Sequence, residues 1–185
     1  MTDGFPKLPP FPAFPLDSTE RLYDSPWVGL RRDMIRLDDG KLQEYHVVEV
    51  TPAVCVVPEL SNGDIAMIWQ LRHPHGKTHW EIPAGRLHAD EDPALGAARE
   101  LREETGLEAT SFEPLGSFYP TNGISAHYAY AFAARGCKPA AELELDAAER
   151  ISVHTVSRES VRAKLLASGF EDAFTALALF YFFAR

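Results

Sequence analysis

The stretch AGRLHADEDPALGAARELREETGL, Ala84–Leu107, gathers acidic side chains whose types and spacing could do chemistry. Asp92 is a good helix N-cap, Pro93 suits the first helical position, and Gly106 suits the residue that ends a helix. The pattern therefore predicts a helix from Pro93 to Thr105. At roughly 100° per residue, Glu103 and Glu104 fall on either side of Glu100, so the three acids share one face. Ala94, Ala98, Leu101 and Thr105 cluster on another, the expected core face. Like charges one turn apart cost an isolated helix about 0.2–0.5 kcal/mol per pair. In a partly dry site the cost grows: unit charges about 4 Å apart interact by roughly 4 kcal/mol at an effective dielectric of about 20. A divalent cation reverses the sign of that term. Hard oxygen donors on a rigid helix suit Mg²⁺, with Mn²⁺ as a substitute, and do not suit a thiophilic metal. The competing reading is a solvated acidic face partly neutralised by Arg99 and Arg102.

The elements that must position these acids can be read around them. Residues 1–26 form a proline-rich arm with Phe5, Phe11 and Phe14 between the prolines, expected to be extended and to pack on the body or on a partner subunit. Residues 27–50 read as a hairpin turning at Asp39-Gly40, a favoured two-residue connection. Residues 51–185 form the main domain. AVCVV, IAMIWQLR, HWEIPAG, FEPLGSFYPT, AHYAYAFAA and ISVHTV are strand-like, and Val161–Ala167 and Asp172–Phe183 are helical. The last helix is apolar nearly all round, so it lies under a sheet or seals a subunit interface. The sum is an α/β sandwich with a mixed sheet.

Composition narrows the function. The chain has 185 residues, 45% hydrophobic and 24% charged, which fits one globular domain, or one domain with a small appendage. A net charge of -9 and a pI near 5.2 argue against a nucleic-acid backbone or an anionic membrane as partner. No zinc-finger, helix-turn-helix or basic-stripe pattern is present. Cys55 and Cys137 make no disulfide framework. Prolines interrupt any apolar run near the N-terminus, and no segment is long enough to span a bilayer, so the cytoplasm is the expected compartment. The histidines of HPHGKTH, His73, His75 and His79, have residue types that suit zinc, but Pro74 and Gly76 make the segment a turn.

The acidic stretch has a more specific pattern: Gly85-x5-Glu91-x7-Arg99-Glu100-Leu101-x-Glu103-Glu104-x-Gly106-Leu107. It resembles the Nudix box at every fixed position. QLRHPHGKTHWEIPAG before it and YPTNGIS after it are similar to the corresponding segments of ADP-ribose pyrophosphatases and related sugar-nucleotide hydrolases. The resemblance implies a Nudix α/β/α sandwich with an N-terminal antiparallel strand extension, and a homodimer that exchanges its N-terminal strands. It implies that Glu100 and Glu104 are the principal metal ligands, that Glu103 assists, and that the carbonyl of Ala84 completes the set. Arg99 would pair with Glu91 and hold the loop on the helix. Arg72 would contact substrate phosphates. Trp27 would stack on the base, or equally serve as an apolar contact of the first strand.

The chain departs from the family at two places. Relatives carry Gly-x-Ser-x-Glu where this chain has Gly123-Ile124-Ser125-Ala126-His127. Glu149, in LDAAERISV, is then the first candidate for the base or water-orienting group, with His127 as substitute or base-contacting residue. Phe174 stands where some sugar-nucleotide hydrolases place a lysine, which favours ADP-ribose. The implied reaction is Mg²⁺-dependent cleavage of ADP-ribose to AMP and ribose 5-phosphate. The alternatives are hydrolysis of a GDP- or UDP-sugar and a non-catalytic module that senses a nucleoside diphosphate-linked small molecule.

Overall fold

A computed structural model describes residues 5–185. Residues 1–4 of the arm lie outside the described residues. The chain divides into two units, Met1–Val50 and Thr51–Arg185.

The first unit is a three-stranded antiparallel sheet of β1 (Leu16–Asp24), β2 (Gly29–Arg36) and β3 (Leu42–Glu49), in that order. The arm therefore differs from the proline reading. No proline falls between Pro15 and Pro26, and that proline-free run can donate its backbone N–H groups to a ladder with β2. The β2–β3 turn also differs. Leu37 N–H donates to Lys41 O at 2.8 Å, leaving Asp38, Asp39 and Gly40 as the loop, one residue longer than expected. Gly40 at φ 81° takes the left-handed position that such longer loops require. Arg31 bridges Asp33 at 3.0 Å and Glu49 at 2.5 Å, tying β2 to β3. Phe5, Phe11 and Phe14 are all exposed in the single chain, which leaves a partner subunit as the surface for the expected packing.

The second unit is built on alternation along two strands. In β4 (Ala53–Leu60), Val54 and Val56 join one apolar cluster and Cys55 and Val57 the other. In β10 (Ala129–Pro139), Phe132 and Ala134 join the first and Ala131 and Ala133 the second. The two strands pair in parallel at the centre of the sheet. Both faces are thus apolar and both are covered by helices. Helix α1 (Pro93–Thr105) packs Ala97 and Leu101 on one face. Helices α2 (Arg158–Leu166) and α3 (Ala173–Phe183) pack Val161, Ala178, Leu179 and Phe182 on the other. The apolar last helix therefore lies under the sheet.

The sheet is mixed. Its main path runs β11-β5-β4-β10-β8, where β5 is Ile65–Arg72, β8 Leu107–Glu108 and β11 Ile151–Val156. Three strands branch off: β6 (Lys77–Glu81) pairs with β5, β7 (Ala84–Arg86) with β4, and β9 (Ser111–Phe118) with β10. The strand β8 was too short to show a period in the sequence. Both cysteines are free and buried. Burial pushes both thiols up, Cys137 to about 11. Among the described residues no helix is long and apolar enough to cross a membrane.

Candidate active site

Helix α1 begins and ends where its local signals place it. The Asp92 carboxylate accepts from Ala94 N–H at 2.8 Å, and Gly106 closes the helix at φ 67° with its N–H on Arg102 O. Its rotation differs slightly from expectation. Ala97, not Ala98, is fully buried, because the surface formed by Val54, Val56, Phe132 and Ala134 meets the helix one residue earlier. That rotation turns Glu100 and Glu104 inward, to 7% and 3% exposure, while the Glu103 side chain keeps 37%. The solvated-face reading fails for the first two.

Burial pushes the Glu104 carboxyl well above the usual carboxylate range, opposed by the Ala84 N–H that its Oε2 accepts at 2.9 Å. Burial also raises Glu100, with Arg99 pulling the other way. The charge of Glu149 adds to the rise at both, which places it in the same electrostatic neighbourhood. Arg72 acts at Glu104 in the opposite sense.

Arg99 organises the helix and the loop before it. Its Nε and Nη2 donate to the two oxygens of Glu91 at 2.9 and 3.0 Å, and Nη2 also donates to Arg86 O at 2.9 Å. Its Nη1 reaches Glu100 at 2.6 Å and Glu103 at 3.0 Å. Glu91 in turn accepts from His88 N–H at 2.9 Å. The Arg99 hydrogen bonds, with that backbone donor, hold the Glu91 carboxyl down at about 2. Gly85 permits the approach of strand to helix: a Cβ there would lie 2.1 Å from the Glu100 carboxyl.

Arg72, at the end of β5, donates to both oxygens of Glu81, from Nε at 3.1 Å and from Nη2 at 2.5 Å. Glu81 is 1% exposed, so the guanidinium is anchored by a buried carboxylate. Sequence reasoning missed Glu81, because the pairing depends on how the β5–β6 hairpin brings the two together. Asp172, the N-cap of α3, also faces this charge. Thr175 in that helix takes the Ile82 N–H on its hydroxyl at 3.2 Å, linking α3 to the segment before β7. Arg72, His75, Lys77, Glu81 and Asp172 line a cleft of about 420 Å³.

His127 has a buried Nε2 without a hydrogen-bond partner in the described structure, and its ring lies 5.8 Å from Phe174. Burial lowers its pKa, so the ring is neutral at neutral pH. Trp27 is 64% exposed in the first unit, in the turn between β1 and β2. The HPHGKTH turn holds a short 3-10 turn at His73–His75, and His79 meets Glu171 at 3.1 Å. Among the described residues no three acidic, histidine or cysteine side chains converge on one point as placed. The donors nevertheless fit a hard divalent ion in kind. Two carboxylates are withdrawn from water on one helix, and the missing Cβ of Gly85 lets one of them, Glu100, lie against the strand.

Residues 49–177 match the model of the NUDIX domain, and residues 16–48 match that of the nucleoside diphosphate sugar hydrolase N-terminal domain. The chain belongs to the Nudix family. It is similar to the ADP-ribose pyrophosphatase of Bacillus subtilis, 32% identical over 88% of each chain. It is 40% identical to that of Mycobacterium tuberculosis over 65% of this chain, and the match spans 59% of that relative's length. A methanol dehydrogenase activator of Bacillus methanolicus is 36% identical over 64% of each. The crystal structure of an ADP compounds hydrolase shares the fold, with a TM-score of 0.82 over 96% of both chains at 18% identity.

Proposed function

We propose that this protein is a Mg²⁺-dependent hydrolase that splits the diphosphate of ADP-ribose into AMP and ribose 5-phosphate. The observation that carries the reading is the pair of buried carboxylates, Glu100 and Glu104, on one helix that also feels the Arg72 charge. Such a pair is costly in the bare chain and becomes favourable when a cation joins it. Glu100 and Glu104, with Glu103 and the Ala84 carbonyl, would hold Mg²⁺ or Mn²⁺. When bound, a divalent ion neutralises diphosphate charge and makes the attacking water more acidic.

The chain's own residues do the rest. Arg72, held flat by Glu81, binds phosphate oxygens in the cleft. Glu149 orients the water and takes its proton as oxygen bonds to phosphorus. The P–O–P bond breaks, and its electron pair leaves on the departing phosphate oxygen. Arg99 and Glu91 hold the acids in register. His127, with its neutral ring and unused Nε2, contributes a hydrogen bond to the substrate. For Trp27 the resemblance supports either stacking on the base or an apolar contact of its own strand. The N-terminal unit supports a homodimer. A second reading, another nucleoside diphosphate sugar as substrate, draws on the match of residues 16–48.

The test is turnover of ADP-ribose with Mg²⁺, scored by AMP release and compared across GDP- and UDP-sugars. The expected outcome is that ADP-ribose leads in kcat/KM and that Glu104→Gln lowers kcat by about 100-fold or more. Tight binding of ADP-ribose with no AMP formed would replace the enzyme by a sensing module.

A further inference from the structure

Glu149 lies in the segment 140–150 between β10 and β11, which has no helix or strand of its own. A group on an irregular loop needs supports if it is to act at a fixed place. The supports are at the C-terminal end of α1 and at its closing Gly106. Ala140 and Ala141 donate their N–H groups to Gly106 O at 2.9 and 3.1 Å. Glu144 N–H donates to Glu103 O at 2.9 Å. That carbonyl belongs to the last turn of the helix, where no intrahelical donor follows. Gly106 makes the seat possible: a Cβ there would stand 2.5 Å from Ala141 O. Beyond these anchors a short turn ends the loop, with Glu149 N–H on Asp146 O at 2.9 Å and Asp146 N–H on Glu149 Oε2 at 2.8 Å. Arg102 also reaches Glu144 at 3.4 Å, but both side chains are more than half exposed and the pair adds little to the backbone bond.

We infer that Glu144 is a positioning residue: its backbone N–H, pinned to the Glu103 carbonyl, fixes Glu149 relative to Glu100 and Glu104 on the same helix. The inference rests on the reading of Glu149 as the water-orienting group. The helix that carries the acids thus also carries the mount for their partner, so all three keep one frame of reference.

Glu144→Pro removes the donor, and Glu144→Ala removes only the side chain. The expected result for Glu144→Pro is a fall in kcat of about tenfold or more with KM within about twofold, since small misplacements of a reacting group cost heavily. Glu144→Ala stays within about threefold of wild type, as an exposed pair allows. Amide hydrogen exchange at residues 145–149 rises in the proline variant, with that of α1 unchanged. Two glycines inserted between Leu145 and Asp146 keep the Glu144 anchor, lengthen the tether, and reproduce the loss of kcat. In a Glu149→Gln background, Glu144→Pro costs nothing further. A damaged Glu149→Gln beside a fully active Glu144→Pro overturns the inference alone, as does multiplication of the two losses. Full turnover by Glu149→Gln overturns the assignment of Glu149, and the inference falls with it.

Discussion

At the scale of single residues, two kinds of carboxylate stand side by side on and before α1. Glu91 is pinned by Arg99 and prefers to be charged; Glu104 is desolvated and prefers not to be. Their linkage has opposite signs. The Glu91 carboxyl falls from 4.5 to about 2 on folding, so its contribution is fully present above pH 4.5 and is lost as pH falls towards 2. The melting-temperature gap between wild type and Glu91→Gln is therefore expected to be constant above pH 5 and to close on acidification. Glu104→Gln is expected to do the reverse of most substitutions of buried groups. It should stabilise the metal-free protein by about 1–2 kcal/mol, because a neutral amide costs less to bury than a carboxylate. Mg²⁺ is expected to raise the melting temperature of wild type and not that of Glu104→Gln. Thermal scans with and without Mg²⁺ check both, and a less stable metal-free Glu104→Gln would count against the burial argument.

At the scale of elements, α1 and β7 are one device. The strand's Gly85 lets the Glu100 carboxyl approach to a distance that no other residue allows. Gly85→Ala is expected to displace Glu100 and lower kcat/KM by about 100-fold, with a smaller loss of stability, measured by steady-state kinetics and urea melts. The ends of α1 were legible in the sequence because N-cap, proline and terminal glycine are local signals. The rotation of the helix was not, since the sheet beneath decides whether Ala97 or Ala98 goes inside. The Arg99–Glu91 pair was legible through the resemblance. The Arg72–Glu81 pair was not, because nothing in the spacing of Arg72 and Glu81 specifies the contact. The strand β1 was hidden by the prolines before it, although none falls within Leu16–Asp24.

At the scale of the molecule, the two units differ in how they bury apolar surface. The second covers both faces of its sheet. In the first, every residue of β1 is exposed, and Leu16, Leu22 and Tyr23 are among them. A three-stranded sheet with so little covered surface is marginal by itself, which supports the proposed homodimer through this unit. The full chain is expected to scatter light as a dimer and the chain without residues 1–24 as a monomer; a monomeric full chain would overturn the proposed dimer, and a truncated chain that stays dimeric would place its contact elsewhere. The buried thiols of the second unit give a different handle. Cys55 faces α3 on the strand whose neighbour in register is Ala84. A thiol reagent can reach it only when β4 comes away, so the rate of alkylation is a stopwatch for breathing at the heart of the fold. Anything that grips the far side of that strand should slow the clock, reporting occupancy without any reaction taking place.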